Sequence, residues 1–216
     1  MKTINILLLF LILFSCTTST KQSEEEVVEV KLTKLEELLL LPTDTVMDYY
    51  DLSNDSISEF PDLSSYTIKS LDLSHNQLDT VIVDYMPKDI VSLNLSHNVF
   101  EGILDFSIDP KYLLSFEERD KLYDKYTIRE IDLSYNKLTY IVINFPLRKI
   151  DISHNDIIAV SFEHRNIEYL DISNNPNMSN VVGFVPMLID TLIHNNIAND
   201  KKLRESSIYI LPNDSL

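Results

Sequence analysis

Aspartates recur about every twenty residues along this chain, each between two apolar residues that mark a short strand. Because side chains alternate between the two faces of a strand, neighbouring strands would place these carboxylates side by side on one solvent-facing surface. This carboxylate row consists of Asp51, Asp72, Asn94, Asp132, Asp151, Asp171 and Leu192. Such a row could bind a basic partner, or bind calcium weakly between adjacent strands. Alternatively, its aspartates only secure the local backbone.

A row of mostly hydroxyl side chains lies two positions after the carboxylate row and is expected to flank it on the same surface. This serine row consists of Ser53, Ser74, Ser96, Ser134, Ser153, Ser173 and His194. The next position along each strand holds Asn54, His75, His97, Tyr135, His154, Asn174 and Asn195. His75 and His97 would be neighbours and could share a metal ion, but no third soft ligand accompanies them. We therefore predict no metal site and no cofactor.

Three tyrosines are candidate anchors for a partner, because buried tyrosine rings often dominate the energy of an interface. Tyr49 and Tyr169 occupy outward strand positions, and Tyr135 lies beside a predicted turn. The alternative is that they are scattered surface tyrosines. Together with four aspartates, they make up the predicted partner-binding set: Tyr49, Tyr135, Tyr169, Asp72, Asp132, Asp151 and Asp171.

Catalytic motifs are missing from the sequence. Gly102 and Gly183 are the only glycines, so no glycine-rich loop could hold a phosphate. Neither G-x-S-x-G nor H-E-x-x-H occurs. Aspartate, serine and histidine are abundant, but they sit in repeated positions, which favours a structural role. We predict that the chain is not an enzyme.

The elements that position these residues are copies of one eleven-residue segment. Six copies occupy residues 68–78, 90–100, 128–138, 147–157, 167–177 and 188–198, and a looser one occupies 47–57. An asparagine, or Asp55 in the looser copy, stands near the end of each copy: Asn76, Asn98, Asn136, Asn155, Asn175 and Asn196. From Asp55 onward these residues are 21, 22, 38, 19, 20 and 21 positions apart, so the repeat is regular except for one insertion.

The copies resemble the leucine-rich repeat, whose core is L-x-x-L-x-L-x-x-N-x-L. The resemblance implies an α/β-type solenoid that is mainly β, with a parallel sheet on the concave face and short irregular or extended convex segments. An asparagine amide both accepts and donates, so it can satisfy backbone groups where each strand ends. Such a solenoid presents a surface for binding.

The N-terminus resembles that of a bacterial lipoprotein. Residues 1–15 have the charge and apolar run of a secretory signal. Residues LFSC (13–16) are similar to a lipobox, which implies that Cys16 is lipidated and anchors the chain. Cys16 is the only cysteine, so no disulfide is expected despite export. This predicts a bacterial membrane protein, on the periplasmic or surface side of the outer membrane. The alternative is an ordinary cleaved signal.

Four further segments follow the signal. Residues 16–23 form a polar tether, and residues 24–46 form an N-terminal cap containing an amphipathic helix over 24–41. Seven repeats span 47–198, interrupted by an insertion at 101–127 with a helix of about 110–125. Residues 199–216 form a C-terminal cap, with a short helix over 199–206 and a strand over 207–211. The insertion either packs on the array or is a recognition element.

The net charge excludes some partners. It is −16, and becomes −17 without residues 1–15, whose only charge is Lys2. Such a chain would repel nucleic acid and anionic lipid. The sequence predicts a non-catalytic, membrane-anchored and monomeric domain that binds a protein or glycan on its concave face. The alternatives are a structural or assembly scaffold of the envelope and, more remotely, an enzyme or inhibitor that uses the insertion at 101–127.

Overall fold

The computed structural model describes residues 31–106, 126–143, 146–162, 166–178, 180–183, 187–198 and 208–210. The chain divides into two compact units, Met1–Lys31 and Leu32–Leu216, and every element described belongs to the second. Residues 1–15, the tether at 16–23, and the helices predicted at 110–125 and 199–206 lie outside the described residues. Within the described ranges, no helix is long and apolar enough to cross a membrane.

Strands dominate the described residues, which include one α-helix, α1 (Lys34–Leu39), and a short 3-10 helix (Val83–Tyr85). In chain order the strands are β1 (Val46–Met47), β2 (Tyr50–Asp51), β3 (Thr67–Ile68), β4 (Ser70–Asp72), β5 (Ser92–Asn94), β6 (Glu101–Phe106), β7 (Glu130–Asp132), β8 (Lys137–Ile143), β9 (Lys149–Asp151), β10 (Ala159–Phe162), β11 (Asn166–Asp171), β12 (Asn180–Gly183), β13 (Met187–Ile193) and β14 (Ile208–Ile210). The prediction of a mainly β fold is confirmed.

One strand from each repeat joins an eight-stranded sheet in the order β14-β13-β11-β9-β7-β5-β4-β2. All pairs are parallel, and equivalent residues of successive repeats lie side by side, as in Leu71, Leu93 and Ile131. These side chains are buried because the alternation of each strand turns them to the same face. The prediction of parallel strands is therefore confirmed. The strand predicted over 207–211 appears as β14, paired with β13.

The return segments of the later repeats form a second parallel sheet in the order β12-β10-β8-β6. Ile141, Ile143 and Val160, which alternate with polar residues in the sequence, are buried. The insertion was expected to begin at 101, but residues 101–106 form β6 and pair with β8. Leu104 and Phe106 are buried with the rest of the core, so this segment is the ordinary return strand of its repeat.

The buried residues of both sheets belong to one hydrophobic cluster that runs along the stack. Complete burial of a leucine or phenylalanine side chain contributes about 1.5–3 kcal/mol, so these repeated apolar positions dominate stability. A two-stranded sheet of β1 and β3 lies near the first repeats.

The helix predicted over 24–41 is shorter in the structure, in which residues 31–41 are described and only Lys34–Leu39 are helical. Residues 31–33 are not helical, and α1 begins after Thr33. The hydroxyl of Thr33 accepts a hydrogen bond from the Glu36 N–H at 3.2 Å, and the Glu36 carboxylate accepts one from the Thr33 N–H at 2.8 Å. This reciprocal cap ends the helix on its N-terminal side, and the apolar pattern alone did not reveal it. Leu38 is fully buried, and Leu35 packs against the core.

Candidate partner-binding face

Five buried asparagines stand where the strands of the eight-stranded sheet end, and they form a column across the repeats. The side-chain NH2 of Asn98 donates to Leu95 O and Ser96 O in its own repeat and to Leu73 O in the preceding one. Its Oδ1 accepts from the Leu78 N–H at 3.0 Å. Each amide thus links two neighbouring repeats through backbone groups that the strands leave unpaired. The column consists of Asn76, Asn98, Asn136, Asn155 and Asn175.

Asn196 lies outside this column, contrary to the sequence alignment. Asn175 pairs with Ile197, so the last repeat is one residue longer than predicted. Asn196 is exposed, has a φ of 57° and donates to Asn174 Oδ1 at 3.1 Å. The same shift puts Leu192 beside Leu170. This register packs Leu192 against the core, which the alignment of the copies had assigned to the surface.

The displaced last repeat changes all three surface rows at that end. Asp171 pairs with Ile193, so Ile193 rather than Leu192 continues the carboxylate row. His194 and Asn195 also lie one position earlier along the strand than predicted. The apolar Ile193 therefore ends the carboxylate row on this side of the sheet.

The aspartates of the carboxylate row each use one oxygen to hold the local backbone. Asp151 Oδ1 accepts from the Ser153 N–H at 2.9 Å, and the same bond joins Asp132 to Ser134 and Asp171 to Ser173. Asn94 makes it with Ser96 at 3.0 Å, which shows that an amide can replace the carboxylate here. The alternative that these aspartates secure the local backbone therefore explains one carboxylate oxygen of each residue.

The serine row is not on the surface, which corrects the prediction that hydroxyls flank the carboxylates. Its central members are only 5–6% exposed: Ser74, Ser96, Ser134, Ser153 and Ser173. The reason is that each strand ends at the aspartate, after which the chain turns toward the asparagine column. In the turn, the carbonyl of each of these serines accepts a hydrogen bond from a backbone N–H of the preceding repeat. The His75 N–H, for example, donates to Ser96 O.

The first repeat differs because α1 covers its carboxylates. Lys34 Nζ donates to Asp51 Oδ2 at 2.8 Å and to Ser53 O at 2.7 Å. The Lys34 ammonium, followed by the hydrogen bonds from Ser53, lowers the pKa of Asp51 to about 2. Partial burial, and then the charges of Asp72 and Asp51, raise the pKa of Tyr49, a residue that is 57% exposed.

A depression of about 320 Å³ lies at the middle of the sheet's outer face. Its lining includes Asn94, Asp132, Asp151 and Tyr169, together with the Lys149–Glu130 ion pair at 2.7 Å. The structure thus brings three members of the predicted partner-binding set into one concavity. The Tyr169 hydroxyl also lies 3.4 Å from Asp171 Oδ2.

Two side chains in this depression, Asp151 and Tyr169, have pKa values that their surroundings raise. Burial raises the pKa of Asp151, and the neighbouring charges of Asp132 and Asp171 act in the same direction. Burial also raises the pKa of Tyr169, assisted by the charges of Asp171 and Asp151. A buried carboxylate between two others favours a proton or a positively charged neighbour. This is the electrostatic character that a cationic side chain of a partner would complement.

The remaining predicted tyrosine, Tyr135, belongs to a column of stacked rings at the turn. His75, His97, Tyr135 and His154 follow one another with centroids 4.1, 4.2 and 4.0 Å apart and planes inclined by 10°. The sequence analysis placed these residues in one row, but it did not predict that their rings stack on one another. These residues have φ of 53–55°, a left-handed conformation in which His and Asn are enriched.

Metal binding finds little support in the ring column. Ring nitrogens bind metals in the plane of the ring, so the lone pairs of parallel rings point the same way and do not converge. Among the described residues, no group of three or more His, Cys, Asp and Glu side chains could hold a metal ion.

Comparison with protein families matches residues 65–85 to the model described as Leucine Rich repeat. This range contains strand β4 and the column residue Asn76. No curated protein and no solved structure matches the chain. Leucine-rich repeat domains commonly bind proteins and are generally non-catalytic. The matched segment, the parallel strands and the small share of helix in the described part of the chain together support a leucine-rich repeat protein.

Proposed function

We propose that this chain is a non-catalytic recognition protein of a bacterial envelope, anchored through a lipid on Cys16. It binds a protein partner in the depression around Asp132, Asp151 and Tyr169. The observation that carries this proposal is the partly buried Asp151, flanked by two carboxylates and beside a tyrosine ring in a concavity. A lysine or arginine of the partner would enter there, with Tyr169 as its aromatic neighbour.

The other carboxylate oxygens of Asp132 and Asp151, their Oδ2 atoms, favour a partner that offers a cationic side chain over one that offers an apolar surface. Their Oδ1 atoms accept from the backbone N–H groups of Ser134 and Ser153, and the Ser153 side chain also hydrogen-bonds the Asp151 carboxylate. At the first repeat the equivalent oxygen of Asp51 binds the ammonium of Lys34. This internal contact supports the geometry proposed for a partner's lysine.

The anchor and the N-terminal cap complete the proposal. A single cysteine preceded by LFS and an apolar run supports lipidation of Cys16. The burial of Leu38 and the bonds from α1 to the first repeat support a role for α1 in closing the N-terminal end of the core. A solenoid needs such closure because its end repeat otherwise exposes apolar surface.

Partner capture tests the recognition surface. Detergent-solubilised chain would be immobilised and exposed to envelope extracts, and the bound proteins would be compared with those bound by a variant carrying Asp132→Asn and Asp151→Asn. We expect the variant to lose about tenfold or more of its specific capture, on the scale of an interface hot spot. A variant carrying Asp79→Asn and Asp105→Asn, both at exposed sites, is the matched charge control. Equal capture by the two variants would overturn the proposed site.

Membrane fractionation tests the anchor. Cys16→Ser removes the thiol that would carry the lipid, so we expect the protein to leave the membrane fraction. Unchanged partitioning, or a mature chain without lipid by mass spectrometry, would contradict anchoring.

Deletion of the protein tests the alternative of an envelope scaffold. If deletion disturbs the envelope while the variant carrying Asp132→Asn and Asp151→Asn remains harmless, a scaffold role would replace the recognition role.

A further inference from the structure

Large apolar side chains are exposed together in the short stretch from just before α1 to β1. Leu40 is 72% exposed, Val46 65% and Leu39 52%, and Leu32 and Leu41 are also exposed. These five residues, which we call the leucine patch, lie within residues 32–46. Isolated exposed apolar residues need no explanation, but a concentration of them marks an interaction surface.

The core does not account for the leucine patch. Leu35 and Leu38 are the residues of this stretch that pack against the core, so the opposite side of α1 faces away from it. Leu39 and Leu40 consequently project away from the repeats. Lys34 and Asp55 further restrict any rotation, because both Lys34 and Leu35 donate their backbone N–H groups to Asp55.

The position of the patch in the chain indicates what covers it. Lys34, the first residue of α1, follows Cys16 by 18 positions. An extended chain spans at most about 3.3–3.6 Å per residue, so a lipid on Cys16 keeps the start of α1 within about 60–65 Å of the bilayer. Tethering at that range gives a high effective concentration of membrane surface, so even a weakly apolar patch is occupied much of the time.

We infer that the leucine patch rests on the phospholipid bilayer and orients the repeats with respect to the membrane. This inference depends on the lipid anchor of the proposed function. Glu36, Glu37 and Asp44 border the patch, and the whole chain is acidic, so the surface that fits is zwitterionic. Leucines at the headgroup boundary would add apolar contact to the attachment that the lipid on Cys16 makes.

Spin-label accessibility tests the inference on the full lipidated chain in phosphatidylcholine vesicles. Lipidation leaves no free thiol, so Leu40→Cys provides a unique site for a nitroxide. Collision with oxygen, which enters lipid, is compared with collision with a water-soluble nickel chelate. We expect vesicles to raise the oxygen-to-nickel ratio at position 40. Ile103→Cys is the matched control, because Ile103 is 70% exposed and lies on β6. Its ratio should not change.

The possible outcomes separate the inference from the anchor. Equal ratios at positions 40 and 103, with lipid on Cys16 shown by mass spectrometry, would overturn the inference and leave the anchor intact. Absence of the lipid would overturn both. Spin–spin broadening between labels at position 40 would reveal a second copy on the leucine patch and would also overturn membrane contact. A raised oxygen-to-nickel ratio at position 40 that the substitution Val46→Ser lowers would support membrane contact of the leucine patch.

Discussion

The carboxylate of Asp55 accepts a hydrogen bond from the backbone N–H of Leu35 at 2.8 Å, and its other oxygen accepts from Lys34 N–H at 2.9 Å. Asp55 occupies the position that asparagine holds in the inner repeats. There the amide must donate to carbonyls of a preceding repeat, but at the first repeat the neighbour is the N-terminal turn of α1. Each of the two N–H groups meets a different oxygen of Asp55, and an amide in the same orientation would place an NH2 donor against one of them.

Asp55→Asn is therefore expected to destabilise the protein, although it restores the residue type of the other repeats. One amide oxygen replaces two acceptors, and the new NH2 faces a backbone N–H. We expect a loss of about 1–2 kcal/mol, comparable to the loss of a helix N-cap, measured as a lower thermal midpoint. Asp79→Asn, at an exposed position, is the control and should leave the midpoint unchanged. Equal midpoints for both variants would contradict this account.

Asn136→Asp should be far more damaging than its small change in shape suggests. Asn136 donates to the carbonyls of Leu95, Leu133 and Ser134. A buried carboxylate there would face three carbonyl oxygens without a donor, so we expect a loss of at least about 3 kcal/mol in denaturant unfolding.

The matched control for this substitution is Asn94→Asp in the carboxylate row. Its Oδ1 accepts from the Ser96 N–H, as the aspartates of other repeats do. We expect a change within about 1 kcal/mol. Similar losses for the two variants would show that the column amides do not act as donors.

Asp151→Asn should stabilise the protein at neutral pH while weakening partner capture. Burial raises the pKa of Asp151, so the folded chain holds this proton more tightly than the unfolded chain. Stability therefore falls as pH rises from the ordinary value of 3.8 through the raised pKa, and the amide removes that loss.

Thermal unfolding as a function of pH measures this effect. We expect a gain of less than about 1 kcal/mol at neutral pH, on the scale of partly exposed charges, that disappears in acid. Asp105→Asn, at an exposed site, is the control for the change of charge. A lower midpoint for Asp151→Asn at neutral pH would mean that the carboxylate stabilises the fold.

His97 should make the protein less stable in mild acid. Burial first, and then the charges of His75 and His154, lowers its pKa, against an opposing effect from Asp132. The unfolded chain then takes up the proton at higher pH, so stability is lost as pH falls below the ordinary value of 6.5. Asparagine occupies the equivalent position in three other repeats, as Asn54, Asn174 and Asn196, and tolerates the left-handed backbone. We expect His97→Asn to reduce the loss of thermal midpoint between about pH 7 and pH 5.

Proton NMR of the imidazoles provides the direct measurement. The titration midpoint of His97 should lie below its ordinary value, and His75→Asn should move it upward by removing both a covering ring and a like charge. A midpoint at or above the ordinary value in the unsubstituted chain would contradict the effect of stacking.

The repeated pattern by itself determined the parallel strands, their buried leucines and isoleucines, and the place of five asparagines. Strand alternation fixes which side chains share a face, and a constant repeat length aligns them with those of the next repeat. The pairing of Leu71 with Leu93 follows from these two properties. Asp132, Asp151 and Tyr169 could be assigned to one surface for the same reason.

Only the tertiary structure decided how the ends of the strands and of the array are arranged. The alignment of the copies placed Asn196 in the asparagine column, but Asn175 pairs with Ile197 because that register packs Leu192 against the core. The serines were expected outside because alternation was extended past the point where each strand ends. Burial, register and ring stacking each depend on contacts with the neighbouring repeat. The sequence of one repeat does not specify where that neighbour lies.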